Sequence, residues 1–147
     1  MKHLIAGLLV LTLFFSWRSF TSYSDSRFEC DISIKTSMEL NNRTIKKALG
    51  ILKYGMPEQY LDVCKNIAVI ETGTACGGFG GGCFYTRDNS DAKGRIYVSV
   101  AQGQVLDSAA IIVHELCHLY QHREGRPFDE DECYRADHAV FQTLAQF

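Results

Sequence analysis

No excess of either charge marks this chain: 15 Lys and Arg stand against 17 Asp and Glu in 147 residues, a formal net charge of -2. It lacks a basic patch that would suit nucleic acid, and it lacks a run of like charge long enough to act as an interaction tail. A membrane-crossing helix takes about 20 apolar residues, and the N-terminal apolar run, Leu4 to Phe15, spans only twelve. There is no internal repeat, and no linker splits the remainder. The length fits one domain with one core. With apolar residues at 46% and charged residues at 22%, the composition excludes a disordered chain.

What the N-terminus does contain points to export. Lys2 and His3 make a short positive region ahead of the apolar run, the pattern of a secretory signal. The small-residue tract Ser22-Tyr23-Ser24 offers a cleavage site. The usual Ala-x-Ala is missing, and Trp17 and Arg18 lengthen the flank, which leaves an uncleaved anchor as the alternative. The expected division is residues 1–24 as signal or anchor and 25–147 as the domain, with a secreted or periplasmic location. All six cysteines, Cys30, Cys64, Cys76, Cys83, Cys117 and Cys133, follow the signal-like segment. An even number in a small exported domain reads as a disulfide framework. Cys76 and Cys83, flanking Gly77 to Gly82, are the first pair expected.

The periodicity predicts helices first, then a small sheet, then two helices, an α+β layout. Met38 to Leu52 has helical spacing with Thr36 or Ser37 as N-cap, and Pro57 opens a second short helix through Cys64. Ile67 to Ile70 reads as a buried strand. Gly73 to Gly82 holds six glycines in ten residues and is expected to be irregular; it lacks the Lys-Ser/Thr of a phosphate loop and is read as a lid or a disulfide-closed surface loop. Arg95 to Val100 alternates as a half-buried strand. A helix capped by Asp107 or Ser108 is expected to reach Arg123 and stop at Gly125, and a final helix starts at Asp129.

The chemistry lies in His114-Glu115-Leu116-Cys117-His118. Histidines four apart on a helix sit about 40° from each other around its axis, so both imidazoles reach one ion. Neutral imidazoles suit zinc, and zinc brings the pKa of water to about 7. Glu115, turned to the ion's open side, is the candidate general base. The surrounding residues, Ala109 to Val113 and Leu116 to Tyr120 apart from His118, are uncharged. A buried apolar helix would leave His, Glu and His unsatisfied without a partner such as a metal.

Over Ile111 to Gln121, and more loosely over Arg95 to Leu144, the chain resembles the zincin metallopeptidases. It lacks the metzincin extension, since Gln121 and Glu124 stand where that pattern has Gly and His. The resemblance is closer to the gluzincins and implies a third ligand from a Glu on the next helix. It also implies that an edge strand, here Arg95 to Val100, holds the substrate backbone. Glu130 and Glu132 are both candidates for the third ligand, with Asp137 and His138 behind them. The Glu-x-x-Ala-Asp pattern of gluzincins is not kept: Glu132 is one residue too far from Ala136-Asp137, and Glu130 has Tyr134 at the Asp position. Glu130 shares a face with Cys133, Asp137 and Val140, whereas Glu132 falls at the capping-box position relative to Asp129. Asp137 is a candidate acceptor for a ligand His. His122 is either a substrate-polarising group or an exposed helix-end histidine. Tyr97, Tyr120 and Tyr134 are candidate oxyanion donors or packing residues. One cysteine on each of the two helices suggests a Cys117–Cys133 bridge clamping the site.

These residues together imply an exported zinc metalloendopeptidase, a hydrolase with Zn2+ as cofactor and a peptide or protein as substrate. No nucleic acid and no membrane beyond the signal segment are expected as partners. The alternative is a secreted, disulfide-stapled binding protein with a structural or vestigial metal site. A domain of this size suggests a shallow groove, a narrow specificity or dependence on a partner.

Overall fold

The computed structural model describes residues 22–35, 39–73, 76, 81–84, 93–99 and 103–145. Most of the signal-like segment, the Thr36 or Ser37 cap, residues 77–80 of the glycine-rich stretch and Val100 lie outside them. The described residues form a mixed α/β domain in which a five-stranded sheet packs against helices. Strands β1 (Ser22–Asp25) and β2 (Cys30–Lys35) precede helices α1 (Glu39–Gly55) and α2 (Pro57–Asn66). Then come β3 (Ile67–Thr72), β4 (Gly81–Phe84), β5 (Gly94–Ser99), α3 (Val105–Arg123) and α4 (Glu130–Leu144). The expected helices-first order is therefore corrected: two strands lead the domain. Among the described residues no helix is long and apolar enough to cross a membrane.

The sheet runs β1-β2-β3-β5-β4. β2, β3 and β5 are mutually parallel neighbours, and β1 and β4 close the two edges antiparallel. In β2, Cys30, Ile32 and Ile34 are buried while Asp31, Ser33 and Lys35 are exposed, as a strand covered on one face requires. The covering layer brings Ile45, Leu49 and Leu52 from α1, Val63 from α2, and Ile112, Leu116 and Leu119 from α3. This layer lays the motif helix against the sheet, with Glu115 meeting Gly82 of the edge strand β4.

β1 is built into the fold. Tyr23 donates to the Tyr60 hydroxyl (2.9 Å), which donates to Asp25 (2.9 Å), and Lys53 lies 2.6 Å from the same Asp25 carboxylate. The Lys53 ammonium holds the Asp25 carboxyl below its ordinary range. The boundary drawn at residue 24 thus falls inside a strand. Three disulfides, Cys30–Cys64, Cys76–Cys83 and Cys117–Cys133, leave no free cysteine. The first fastens β2 to α2, and the other two are the pairs expected from sequence.

Helix α3 starts at Val105, ahead of the expected Asp107 or Ser108 cap; Ser108 instead donates from Oγ to the Gln104 carbonyl (2.6 Å). It ends as expected, with Gly125 at φ 66° beyond Glu124, a left-handed position that favours glycine. The turn is short enough for α4 to fold back along α3. Asp129 caps α4 by accepting from Glu132 N (3.2 Å).

Candidate active site

His114 and His118 project from one face of α3, one turn apart, and Glu130, the first residue of α4, meets them. His114 Nε2 lies 3.1 Å from His118 Nε2 and 3.2 Å from Glu130 Oε2, and His118 Nε2 lies 3.4 Å from the same oxygen. The three atoms form a nearly equilateral triangle. Tetrahedral ligands about 2.0–2.1 Å from a zinc ion stand roughly 3.3–3.4 Å from one another, so the triangle has the size a zinc site needs. The arrangement matches the HExxH metal-site geometry of the zincins. It is a geometrically intact candidate zinc-binding triad of the kind that active zinc metalloproteases carry.

The partners of the outer ring nitrogens point the same way. Asp137 Oδ2 sits 3.0 Å from His114 Nδ1, and Gln121 Oε1 sits 3.1 Å from His118 Nδ1. With each Nδ1 hydrogen directed at an acceptor, each Nε2 presents a lone pair. Two lone pairs and a carboxylate oxygen then converge within 3.4 Å, an arrangement that repels itself unless a cation sits among them. The donor set, two imidazoles and a carboxylate, suits zinc.

Of the third-ligand candidates, the structure brings in Glu130. Glu132 is taken by Arg126, whose two terminal nitrogens reach its oxygens at 2.7 and 3.1 Å, and by the Gln121 amide at 2.9 Å. Those bonds hold the Glu132 carboxyl down at about 2. Asp137 supports His114, as the sequence suggested. His138 lies on the outer side of α4, beside Asp131 and Arg135.

Glu115 lines the cleft without joining the triad. It is 2% exposed, and its Oε2 finds no hydrogen-bond partner among the described residues. Burial, with the Glu130 charge adding to it, pushes its carboxyl up to about 8. A buried carboxylate left without a donor is destabilising, and a cation and water in the cleft would relieve it.

The cleft, about 420 Å³, lies between β4 and α4 with α3 as its floor. Here the structure corrects two expectations. β5, read as the edge strand that meets substrate, is interior; β4 holds the edge. Gly81 and Gly82, read as part of an irregular stretch, belong to β4 and line the cleft. Gly82 is there because nothing larger fits: a Cβ on it would collide with the Glu115 carboxylate oxygen and come within 2.7 Å of Ile111 Cγ2. The signal for this strand was Cys83-Phe84 after the glycines, too short to show periodicity.

Aromatic rings border the candidate ligands. The Phe128 ring lies 5.4 Å from His118 and 5.9 Å from Phe84, and Tyr134 lies 5.0 Å from His114. Of the three tyrosines considered, Tyr134 alone reaches the cleft. Tyr97 bonds Glu71 on the sheet, and the Tyr120 hydroxyl accepts from Asn66 (3.0 Å). His122 packs against Phe84 with the ring centroids 5.5 Å apart and the rings tilted by 55°, behind the cleft lining rather than in it. Comparison of the chain with protein-family models, with curated proteins and with solved structures gives no match.

The Cys117–Cys133 bridge joins α3 to α4 with Cα atoms 5.5 Å apart and closes a segment of sequence separation 16. A loop of that length carries a stabilisation of about 3 kcal/mol. Replacing both cysteines by alanine is expected to lower unfolding stability by that order in urea titration. It is also expected to weaken zinc binding, because one of the ties that hold the start of α4 against α3 is then lost. Unchanged midpoint and unchanged zinc affinity would show that the bridge has no part in the site.

Proposed function

We propose that this chain is an exported zinc metalloendopeptidase, with His114, His118 and Glu130 holding zinc and Glu115 serving as general base. The observation that carries this reading is Glu115, an unligated, buried carboxylate beside a complete donor triangle. A site that only stabilised the fold would gain nothing from it.

Zinc, when bound there, supplies the Lewis acidity that makes water a nucleophile near neutral pH. Everything else falls to the chain. Glu115 accepts the proton of the attacking water at its free Oε2 and passes it to the departing amine. Asp137 and Gln121 keep both imidazoles turned with Nε2 inward. Tyr134, beside His114, is placed to donate its hydroxyl to the oxyanion. The edge of β4 offers backbone groups to an extended peptide. Phe84 and Phe128 make the adjoining wall apolar, which favours a large apolar side chain next to the scissile bond.

Export is supported by the signal-like N-terminus and by three disulfides, which persist in oxidising compartments. Since β1 begins at Ser22, the cut falls before it. The test is to recover the protein from outside the cell, sequence its N-terminus, measure its zinc, and incubate it with a diverse peptide library. The expected result is a chain that retains Ser22, binds one zinc per molecule, and loses its peptide cleavage to a chelator. A protein that holds zinc and cuts no peptide or protein would remove the peptidase reading.

A further inference from the structure

Gln121 is fully buried, a position rarely given to a glutamine unless its amide is satisfied. Its side chain lies flat against the Asp129 peptide: Oε1 accepts from Asp129 N (3.1 Å) and Nε2 donates to the Asp129 carbonyl (3.0 Å). This paired contact fixes which end of the amide is oxygen, a choice that otherwise rests on the network alone. The oxygen so fixed is the one facing His118 Nδ1 at 3.1 Å. Among the described residues the other group near that nitrogen is the Cys133 sulfur at 3.5 Å, a weaker acceptor already held in its disulfide. Nε2 also donates to Glu132 (2.9 Å), which Arg126 grips from the other side.

The geometry points to Gln121 as a positioning residue that sets two metal ligands at once. Through Oε1 it orients the His118 ring with Nε2 toward the site. Through the Asp129 backbone it holds the residue immediately before Glu130, and so fixes where α4 begins and where Glu130 points. His114 has its own support in Asp137, so Gln121 sets the two ligands that Asp137 does not. The inference rests on the zinc reading for its consequence, and its orienting part does not need zinc to be present.

The test uses the full oxidised protein and two variants. Gln121→Leu keeps the size and removes all polar contacts. Gln121→Glu keeps an acceptor for His118 and loses the donors to Asp129 and Glu132. In metal-free wild type, nitrogen NMR at a pH where the imidazole is neutral is expected to show His118 protonated at Nδ1. Gln121→Leu is expected to lose that preference and to bind zinc about 10- to 100-fold more weakly in chelator competition. Gln121→Glu is expected to retain the Nδ1 proton and lose less affinity. A residue that only packs would change melting temperature and leave tautomer and affinity alone. Wild-type His118 protonated at Nε2, or a Gln121→Leu affinity within twofold of wild type, would overturn the inference. If Gln121→Leu does not fold, the wild-type tautomer and the Gln121→Glu protein decide. If the wild type takes up no zinc, the peptidase reading falls, and the tautomer measurement still decides for or against Gln121.

Discussion

Changing Glu115 to Gln is expected to lower kcat/KM by about 10²- to 10⁴-fold, the range that general acid–base groups supply, while zinc content stays at wild-type level. The amide has nearly the shape of the carboxylate and leaves His114, His118 and Glu130 in place, so the loss isolates the proton transfer. A variant that cleaves at the wild-type rate would assign the base elsewhere. The same substitution has a second signature without metal. Burial and the neighbouring Glu130 raise the Glu115 carboxyl from an ordinary 4.5 to about 8 in the folded chain. A group raised on folding contributes stability that is full below its unfolded value and is lost as pH rises through the folded one. Metal-free wild type should therefore lose stability between about pH 4.5 and pH 8, and the Gln variant should lose less over that window. Melting curves across the range test it, and parallel profiles for the two proteins would refute it.

The second large effect is expected at a residue with no side chain. In Gly82→Ala the added methyl must occupy space held by the Glu115 carboxyl carbon, 2.8 Å away, and by Ile111 Cγ2, 2.7 Å away. Either Glu115 turns or β4 lifts off α3, and both misplace the reacting groups. A displacement near 1 Å is enough to cost about 10²-fold in rate, so kcat/KM should fall by that order. Zinc affinity should hold, because no ligand is touched. Gly81→Ala is the internal control: among the described residues its Cβ meets the Cys76 carbonyl, at 3.4 Å, ordinary contact, and its activity should stay near wild type. Equal losses in both variants would mean that β4 tolerates no side chain for reasons unrelated to Glu115.

The two histidines and Glu115 were legible because five consecutive residues on a helix carry their own geometry: the 3.6-residue repeat alone brings His114 and His118 together. Asp137 and the Cys117–Cys133 bridge followed from the facing of two adjacent helices. The choice between Glu130 and Glu132 stayed open in the sequence because it depends on which carboxylate is already occupied. Arg126 and Gln121 occupy Glu132, and neither contact has a local pattern. Gln121 itself drew notice only as a departure from a Gly, since a buried amide and an exposed one look alike in sequence. Strand order was the largest miss. β2 carried a period-two signal in Cys30, Ile32 and Ile34 that the neighbouring signal-like segment obscured, and the edge role that the resemblance gave to Arg95 to Val100 belongs to β4, whose four residues, two of them glycine, are too few to announce a strand.

The three donor atoms, the two groups that orient the histidines and the disulfide that clasps them all fall within residues 114–137, inside one helical hairpin. The opposite wall of the cleft reaches Glu115 from Gly82, more than thirty positions earlier. Contacts so close in sequence form early and cheaply, and β4 pairs with β5 across a similarly short separation, while laying that pair on α3 must wait for a larger loop to close. The donor triangle can thus assemble before the cleft beside it has its opposite wall.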